Sequence, residues 1–182
     1  MERLKIATVW LGGCAGCHMS FLALDEILVD IADKIQVVYS PIADVKEYPE
    51  GVDVCLIEGA VCNEDNLELI HKIRQRTKVL VSFGDCAVTA NVPAMRNQLG
   101  LDNAESVLQR AYIENAQYNP VKPKADGIIP LLLERVLPVH EVVQVEFYLP
   151  GCPPSSAHIK ALLGQVLAGQ TPKLEGTQLK FG

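Results

Sequence analysis

Three features are missing from this sequence, and each absence argues against a class of function. No apolar run approaches the roughly 20 residues that a membrane-spanning helix needs. Lys and Arg form no cluster and the formal charge is −6, which argues against a nucleic-acid partner. Met1 is not followed by the basic, apolar and small-residue regions of a secretory signal, so we expect a cytoplasmic protein.

Apolar residues and cysteines are what the chain does contain. Hydrophobic residues make up 49% of the 182 residues and charged residues 21%, which predicts a single globular domain over 1–182. The sequence has six cysteines. Thiols stay reduced in the cytoplasm, so we expect these cysteines to be metal ligands or free thiols rather than disulfides.

Apolar runs that predict strands alternate with stretches of helical periodicity. The predicted strands cover 5–11, 35–39, 52–57, 78–83 and 142–149, and the predicted helices cover 20–33, 64–76 and about 156–168, with a short helical piece at 87–99. This alternation predicts a doubly wound α/β fold with a mainly parallel sheet and helices on both faces. Residues 100–140 contain four prolines without periodicity, and we expect an irregular excursion there with one helical turn at 131–136.

Four of the cysteines follow predicted strands. Cys14 and Cys17 lie in a glycine-rich loop after the first strand, Cys86 follows the fourth and Cys152 the fifth. The carboxyl ends of parallel strands share one edge of a sheet, where ligands bind, so these thiols are expected to converge. Four thiolates suit either a tetrahedral zinc ion or a [4Fe–4S] cluster. The alternative, four unrelated core cysteines, does not explain why each lies in a turn.

Other candidate residues lie around this set. Cys55 is inside the third strand and is expected to be a core residue. Cys62 also follows a strand, so it is an alternative ligand, although we interpret it as a spare thiol. Glu58 ends the third strand; it is either a proton-relay or interface residue, or a carboxylate that caps backbone N–H groups. We expect His18 to be packed or solvent-facing, and Asp85 to orient its loop through an Asx-type bond.

Together the motifs resemble a known family. Cys14-x-x-Cys17, Glu58-Gly59, Gly84-Asp85-Cys86 and Pro150-Gly151-Cys152-Pro153-Pro154 are similar to the pattern shared by [NiFe]-hydrogenase small subunits and the 20 kDa subunit of respiratory complex I. The complex I subunit typically has two adjacent cysteines at the first site, so the Cys-x-x-Cys spacing favours the hydrogenase branch. Residues 13–21, 82–91 and 137–141 most resemble the small subunits of cytoplasmic, bidirectional NAD(P)-linked [NiFe] hydrogenases.

This resemblance implies a flavodoxin-like domain in which Cys14, Cys17, Cys86 and Cys152 hold one [4Fe–4S] cluster. It also implies that the chain has no catalytic residue of its own and acts as one subunit of a hydrogen:NAD(P) oxidoreductase. Hydrogen is then split at a Ni–Fe centre on a separate large subunit. Electrons pass between that subunit and a diaphorase whose subunits carry FMN, iron–sulfur clusters and the NAD(P) site.

Three alternatives stay open. The first is a cluster-bearing subunit of a complex I-like quinone oxidoreductase, the second is a structural scaffold built around zinc, and the third is a flavodoxin-like protein that binds FMN. The first loop has few of the hydroxyl groups that would hold an FMN phosphate, which argues against the last of these.

Overall fold

Five parallel strands form the central sheet of the structure, a computed structural model that describes residues 3–181. The strands of the chain are β1 (Leu4–Trp10), β2 (Ile35–Tyr39), β3 (Val52–Glu58), β4 (Val61–Asn63), β5 (Thr77–Phe83), β6 (Leu132–Leu137) and β7 (Phe147–Leu149). The sheet order is β2-β1-β3-β5-β7, with every neighbouring pair parallel. Counting these five strands alone, the order is 2-1-3-4-5, the flavodoxin-like arrangement that the sequence predicted.

Within residues 3–181, six α-helices accompany the strands: α1 (Gly16–Leu22), α2 (Glu26–Asp30), α3 (Glu64–Arg76), α4 (Asp85–Thr89), α5 (Asn103–Gln109) and α6 (Ser156–Leu167). Shorter 3-10 segments cover Val92–Leu99, Val139–Glu141 and Gly176–Leu179, and a π turn covers Arg110–Glu114. The side chains of Asn63 and Ser155 cap α3 and α6 by accepting backbone N–H groups, which explains why both helices start where predicted. None of the helices within residues 3–181 has the length and hydropathy to cross a bilayer.

Helices cover both faces of the sheet, as predicted. Alternate strand residues point to opposite faces, so Ile6 and Leu56 belong to one buried cluster whereas Ala7 and Ile57 belong to another. The first cluster includes residues from α1 and α6, namely Cys17, Phe21, Ile159, Leu162 and Leu163. The second includes Ile70 and Ile73 from α3.

The structure corrects the bounds of two predicted elements, the first helix and the last strand. The predicted helix over 20–33 is two helices, because Asp25 between α1 and α2 has φ +46° and ψ −116°. Its apolar spacing still places Leu24 and its neighbours against the core. The last strand, predicted over 142–149, has only three residues, because residues 142–146 run through turns and bends before β7 begins.

The predicted helical turn at 131–136 is wrong. Leu132–Leu137 is strand β6, which pairs with β4 in a separate antiparallel ladder. Tertiary pairing therefore overrides the local preference of this leucine-rich stretch. The predicted irregular segment over 100–140 also contains α5 and the π turn.

Candidate metal centre

Four cysteine side chains lie at the carboxyl edge of the sheet. Cys14 is in the loop after β1, Cys17 is in the first turn of α1, Cys86 is in α4 directly after β5, and Cys152 follows β7. Cys17 is buried and Cys86 is partly buried, whereas Cys14 and Cys152 are exposed. The structure thus brings together the four residues that the sequence singled out, at an edge that is open to solvent on one side.

The electrostatics of the thiols reflect their proximity. Burial raises the pKa of the Cys17 thiol, and the charges of Glu58, Cys86, Cys14 and Cys152 raise it further. Burial also raises the pKa of Cys86 to about 11, with added contributions from Cys14, Cys152 and Glu58. Negative charges that repel one another in this way are stabilised when a cationic metal group is bound between them, so the donor set fits a metal group.

The spacing of the thiols is also informative. Among residues 3–181, no three His, Cys, Asp or Glu side chains lie close enough together to hold a single metal ion. The effects of Cys14, Cys86 and Cys152 on the Cys17 thiol are therefore what relates the four thiols to one another.

Two glycines allow the backbone to pass close to the sulfurs. Gly84, with φ +85°, lies so close to Cys17 that an added Cβ would overlap the sulfur atom. A Cβ on Gly16 would lie 3.3 Å from the Sγ of Cys14. The loops are therefore shaped around the cysteine side chains.

Hydrogen bonds fix the cysteine loops to one another. The Asp85 N–H donates to the Gly151 carbonyl at 2.9 Å, and Asp85 Oδ1 accepts the Gly151 N–H at 2.6 Å. Ser20 Oγ donates to the Pro154 carbonyl at 2.5 Å, and Ser156 Oγ donates to the Ser20 carbonyl at 3.2 Å. We expected Asp85 to orient its own loop through an Asx-type bond; the structure shows its carboxylate in contact with the loop that carries Cys152.

Glu58 is buried beside the start of α1. Its Oε1 accepts the Cys17 N–H at 3.3 Å, and its Oε2 accepts the His18 N–H at 2.9 Å. Glu58 therefore caps backbone N–H groups at the helix N-terminus, where negative charge is favourable. Its proton-relay or interface role stays a prediction.

The His18 ring is packed inside the protein, with Nδ1 2.5 Å from Glu58 Oε2. Sequence reasoning missed this contact, although a His at the helix start and a Glu at a strand end were its visible signals.

The remaining cysteines have other surroundings. Cys62 lies in β4, where its Sγ donates to the Ala60 carbonyl at 3.4 Å and packs against Gly12. Burial raises the pKa of Cys62, and the positive charge of Arg96 partly offsets this. Cys55 is fully buried in β3, as predicted.

A small cavity of about 250 Å³ opens beside the cysteine loop. Its lining residues are Trp10, Leu11, Gly13, Cys14, Ala15 and Glu58. A larger cavity of about 980 Å³ lies between the amino ends of the strands and α6, where Arg3, Lys5 and Lys34 contribute to its wall. The larger cavity is at the opposite edge of the sheet from the thiols, so it is separate from the candidate centre.

Comparison with known proteins extends this description. The family described as NADH ubiquinone oxidoreductase, 20 Kd subunit, matches residues 14–166. The NAD-reducing hydrogenase HoxS subunit delta of Cupriavidus necator is 35% identical over 174 residues, which are 92% of this chain and 80% of that protein. A vhu subunit of the F420-non-reducing hydrogenase of Methanococcus voltae is 38% identical over 95% of this chain. The match covers only 59% of that relative, so the chain spans about three fifths of its length.

The solved structures that this chain resembles include chains of hydrogenases. A chain in the crystal structure of NAD+-reducing [NiFe]-hydrogenase in the H2-reduced state superposes with a TM-score of 0.92 at 38% identity, covering 100% of both chains. A chain of the Ni-Fe-Se hydrogenase from Desulfomicrobium baculatum has a TM-score of 0.58 at 17% identity, covering 97% of this chain and 69% of that one. The second likeness concerns the fold alone.

Proposed function

This chain belongs to the family of the 20 kDa subunit of NADH ubiquinone oxidoreductase, and we propose that it is the electron-transfer small subunit of an NAD(P)-reducing [NiFe] hydrogenase. The TM-score of 0.92 over the whole chain and the likeness to the HoxS subunit delta support this choice within the family. The chain spans only part of its archaeal relatives, so the activity of the whole assembly is part of the proposal.

The observation that carries the proposal is the convergence of four thiols from three separate loops at one edge of the sheet. Cys14, Cys17, Cys86 and Cys152 would hold one [4Fe–4S] cluster through their thiolates. When bound, such a cluster supplies one-electron transfer.

The residues of this chain prepare the site in several ways. Gly84 leaves room for the buried sulfur of Cys17, and the paired hydrogen bonds between Asp85 and Gly151 hold two ligand loops together. Cys17 faces the core, which limits the access of water from that side. Cys14 and Cys152 are exposed, so the site lies where a partner subunit can approach.

The partners follow from this assignment. We place the Ni–Fe centre on a separate large subunit, and FMN, further iron–sulfur clusters and the NAD(P) site on diaphorase subunits, in a cytoplasmic complex. No residue of this chain is proposed to be catalytic. A subunit of a complex I-like quinone oxidoreductase is the second candidate, because the matching family carries the name of that enzyme.

The decisive experiment is isolation of the native complex, with measurement of iron, acid-labile sulfide and hydrogen-dependent NAD(P) reduction. We expect iron and sulfide in the chain, an EPR signal after reduction, and hydrogenase activity. A colourless preparation that contains zinc would refute the cluster. Co-purification with a quinone-reducing membrane complex would instead favour the second candidate.

Two cysteine variants test the ligand set. Cys152→Ser is expected to lose iron and sulfide, because serine replaces one of the four thiolates. Cys62→Ser is the matched control and should keep wild-type iron content, since Cys62 contacts Ala60 and Gly12 instead. The reverse result would make Cys62 the fourth ligand.

A further inference from the structure

His18 is a buried imidazole to which the proposed ligand set gives no role. Only 2% of the surface of His18 is exposed to solvent. Trp10 meets the ring edge-on with centroids 5.2 Å apart, and Phe83 lies on another side at 6.3 Å. Two aromatic side chains therefore help to fix the orientation of the imidazole.

The polar contact of the ring is with Glu58. Nδ1 of His18 lies 2.5 Å from Glu58 Oε2, which also accepts the His18 backbone N–H at 2.9 Å. Both carboxylate oxygens of Glu58 accept backbone N–H groups, so we assign Nδ1–H as the donor in this contact. The other nitrogen, Nε2, is buried and has no hydrogen-bond partner in the described part of the chain. The hydrogen bond from Nδ1 to Glu58 is thus the polar contact of the ring that the structure shows.

Burial makes this contact important for Glu58. A carboxylate that is 2% exposed is costly unless donors surround it, and it has two backbone N–H groups and the His18 ring. The backbone donors belong to Cys17 and His18 at the start of α1. Among the contacts that residues 3–181 make with Glu58, the ring is therefore the one side-chain donor.

The negative charge of Glu58 affects the pKa values of two candidate ligands. It contributes to raising the pKa of Cys17 and of Cys86, behind burial in both cases. A donor placed on the carboxylate offsets part of its negative charge, and groups just outside a metal's ligands are known to tune its redox properties.

We propose that His18 is a positioning residue: its Nδ1–H holds the Glu58 carboxylate beside the start of α1 and thereby sets the reduction potential of the group that the four cysteines bind. This inference rests on the proposed function. His18 acts through Glu58 and is not itself a ligand.

The test compares His18→Asn with His18→Leu in the intact complex, because the two side chains have nearly the same shape. The asparagine amide nitrogen can occupy the position of Nδ1 and donate to Glu58, whereas leucine cannot donate. We expect the midpoint potential of the cluster, from an EPR-monitored redox titration, to stay at the wild-type value in His18→Asn. It should fall in His18→Leu, because the carboxylate charge is then less compensated.

Glu58→Gln completes the design. It removes the negative charge, so the potential should rise, and His18→Leu should cause no further fall in that background. The proposal is overturned if His18→Leu has full iron content and an unchanged midpoint potential. It is also overturned if His18→Leu lowers the potential equally in the wild-type and the Glu58→Gln backgrounds. If His18→Leu forms no complex, Glu58→Gln decides: an unchanged potential overturns the proposal. Absence of sulfide from the wild-type complex would instead refute the proposed function.

Discussion

Replacing Gly84 by alanine tests whether the turn after β5 is shaped around a bound group. Gly84 has φ +85° and ψ 161°, a region that is almost restricted to glycine. An alanine there costs about 1–3 kcal/mol in backbone strain. Its Cβ would also lie 3.5 Å from the Gly151 carbonyl and would overlap the Cys17 sulfur. Moving that buried sulfur off its rotamer adds roughly 0.5–1.5 kcal/mol.

Gly100 provides a matched control for the backbone strain. It has φ +90° and ψ −162°, and no described atom lies within 4 Å of the Cβ that an alanine would add. Both variants should therefore show a similar backbone cost. Only Gly84→Ala displaces a candidate ligand, so we expect it alone to lose iron and acid-labile sulfide, measured per chain in the purified complex. Equal iron content in the two variants would refute the reasoning.

Two further predictions concern the site and the core. Asp85→Ala removes a carboxylate acceptor from the buried Gly151 N–H, so the free energy of unfolding should fall by about 1–3 kcal/mol. Denaturant unfolding measures this, with the exposed Asp126→Ala as control; equal midpoints would contradict it. Burial raises the pKa of Cys55 from 9.0 to about 12. The folded chain then keeps a proton that the unfolded chain loses, so stability falls as pH rises above 9. Cys55→Ala should flatten this fall by up to about 1.4 kcal/mol per pH unit between pH 9 and 11; parallel curves would count against it.

Local signals made much of the fold predictable from sequence. The helix predicted over 64–76 has the predicted ends, because Asn63 caps its start and the residues are acidic in its first turn and basic in its last. Convergence of the four thiols was predictable for a different reason. In a parallel sheet, residues that follow strands share one edge whatever their separation along the chain.

Other features depend on contacts that no local pattern encodes. The strand β6 exists because it pairs with β4, far away in sequence, and the same leucines would suit a helix. The break at Asp25 interrupts an apolar spacing that is otherwise helical. The contact between His18 and Glu58 joins residues 40 positions apart. Residue type alone identified both side chains but not their pairing.

The late position of β7 has a consequence for how the protein matures. Pro154 contacts Ser20 across 134 residues, and Gly151 contacts Asp85 across 66. During synthesis, Cys14, Cys17 and Cys86 leave the ribosome well before Cys152, the last of the proposed ligands along the sequence. Cys152 follows β7, so the proposed ligand set is complete only after the last strand of the central sheet has been made. A group held by all four thiols would link positions from Cys14 to Cys152, much as a disulfide restricts a long loop.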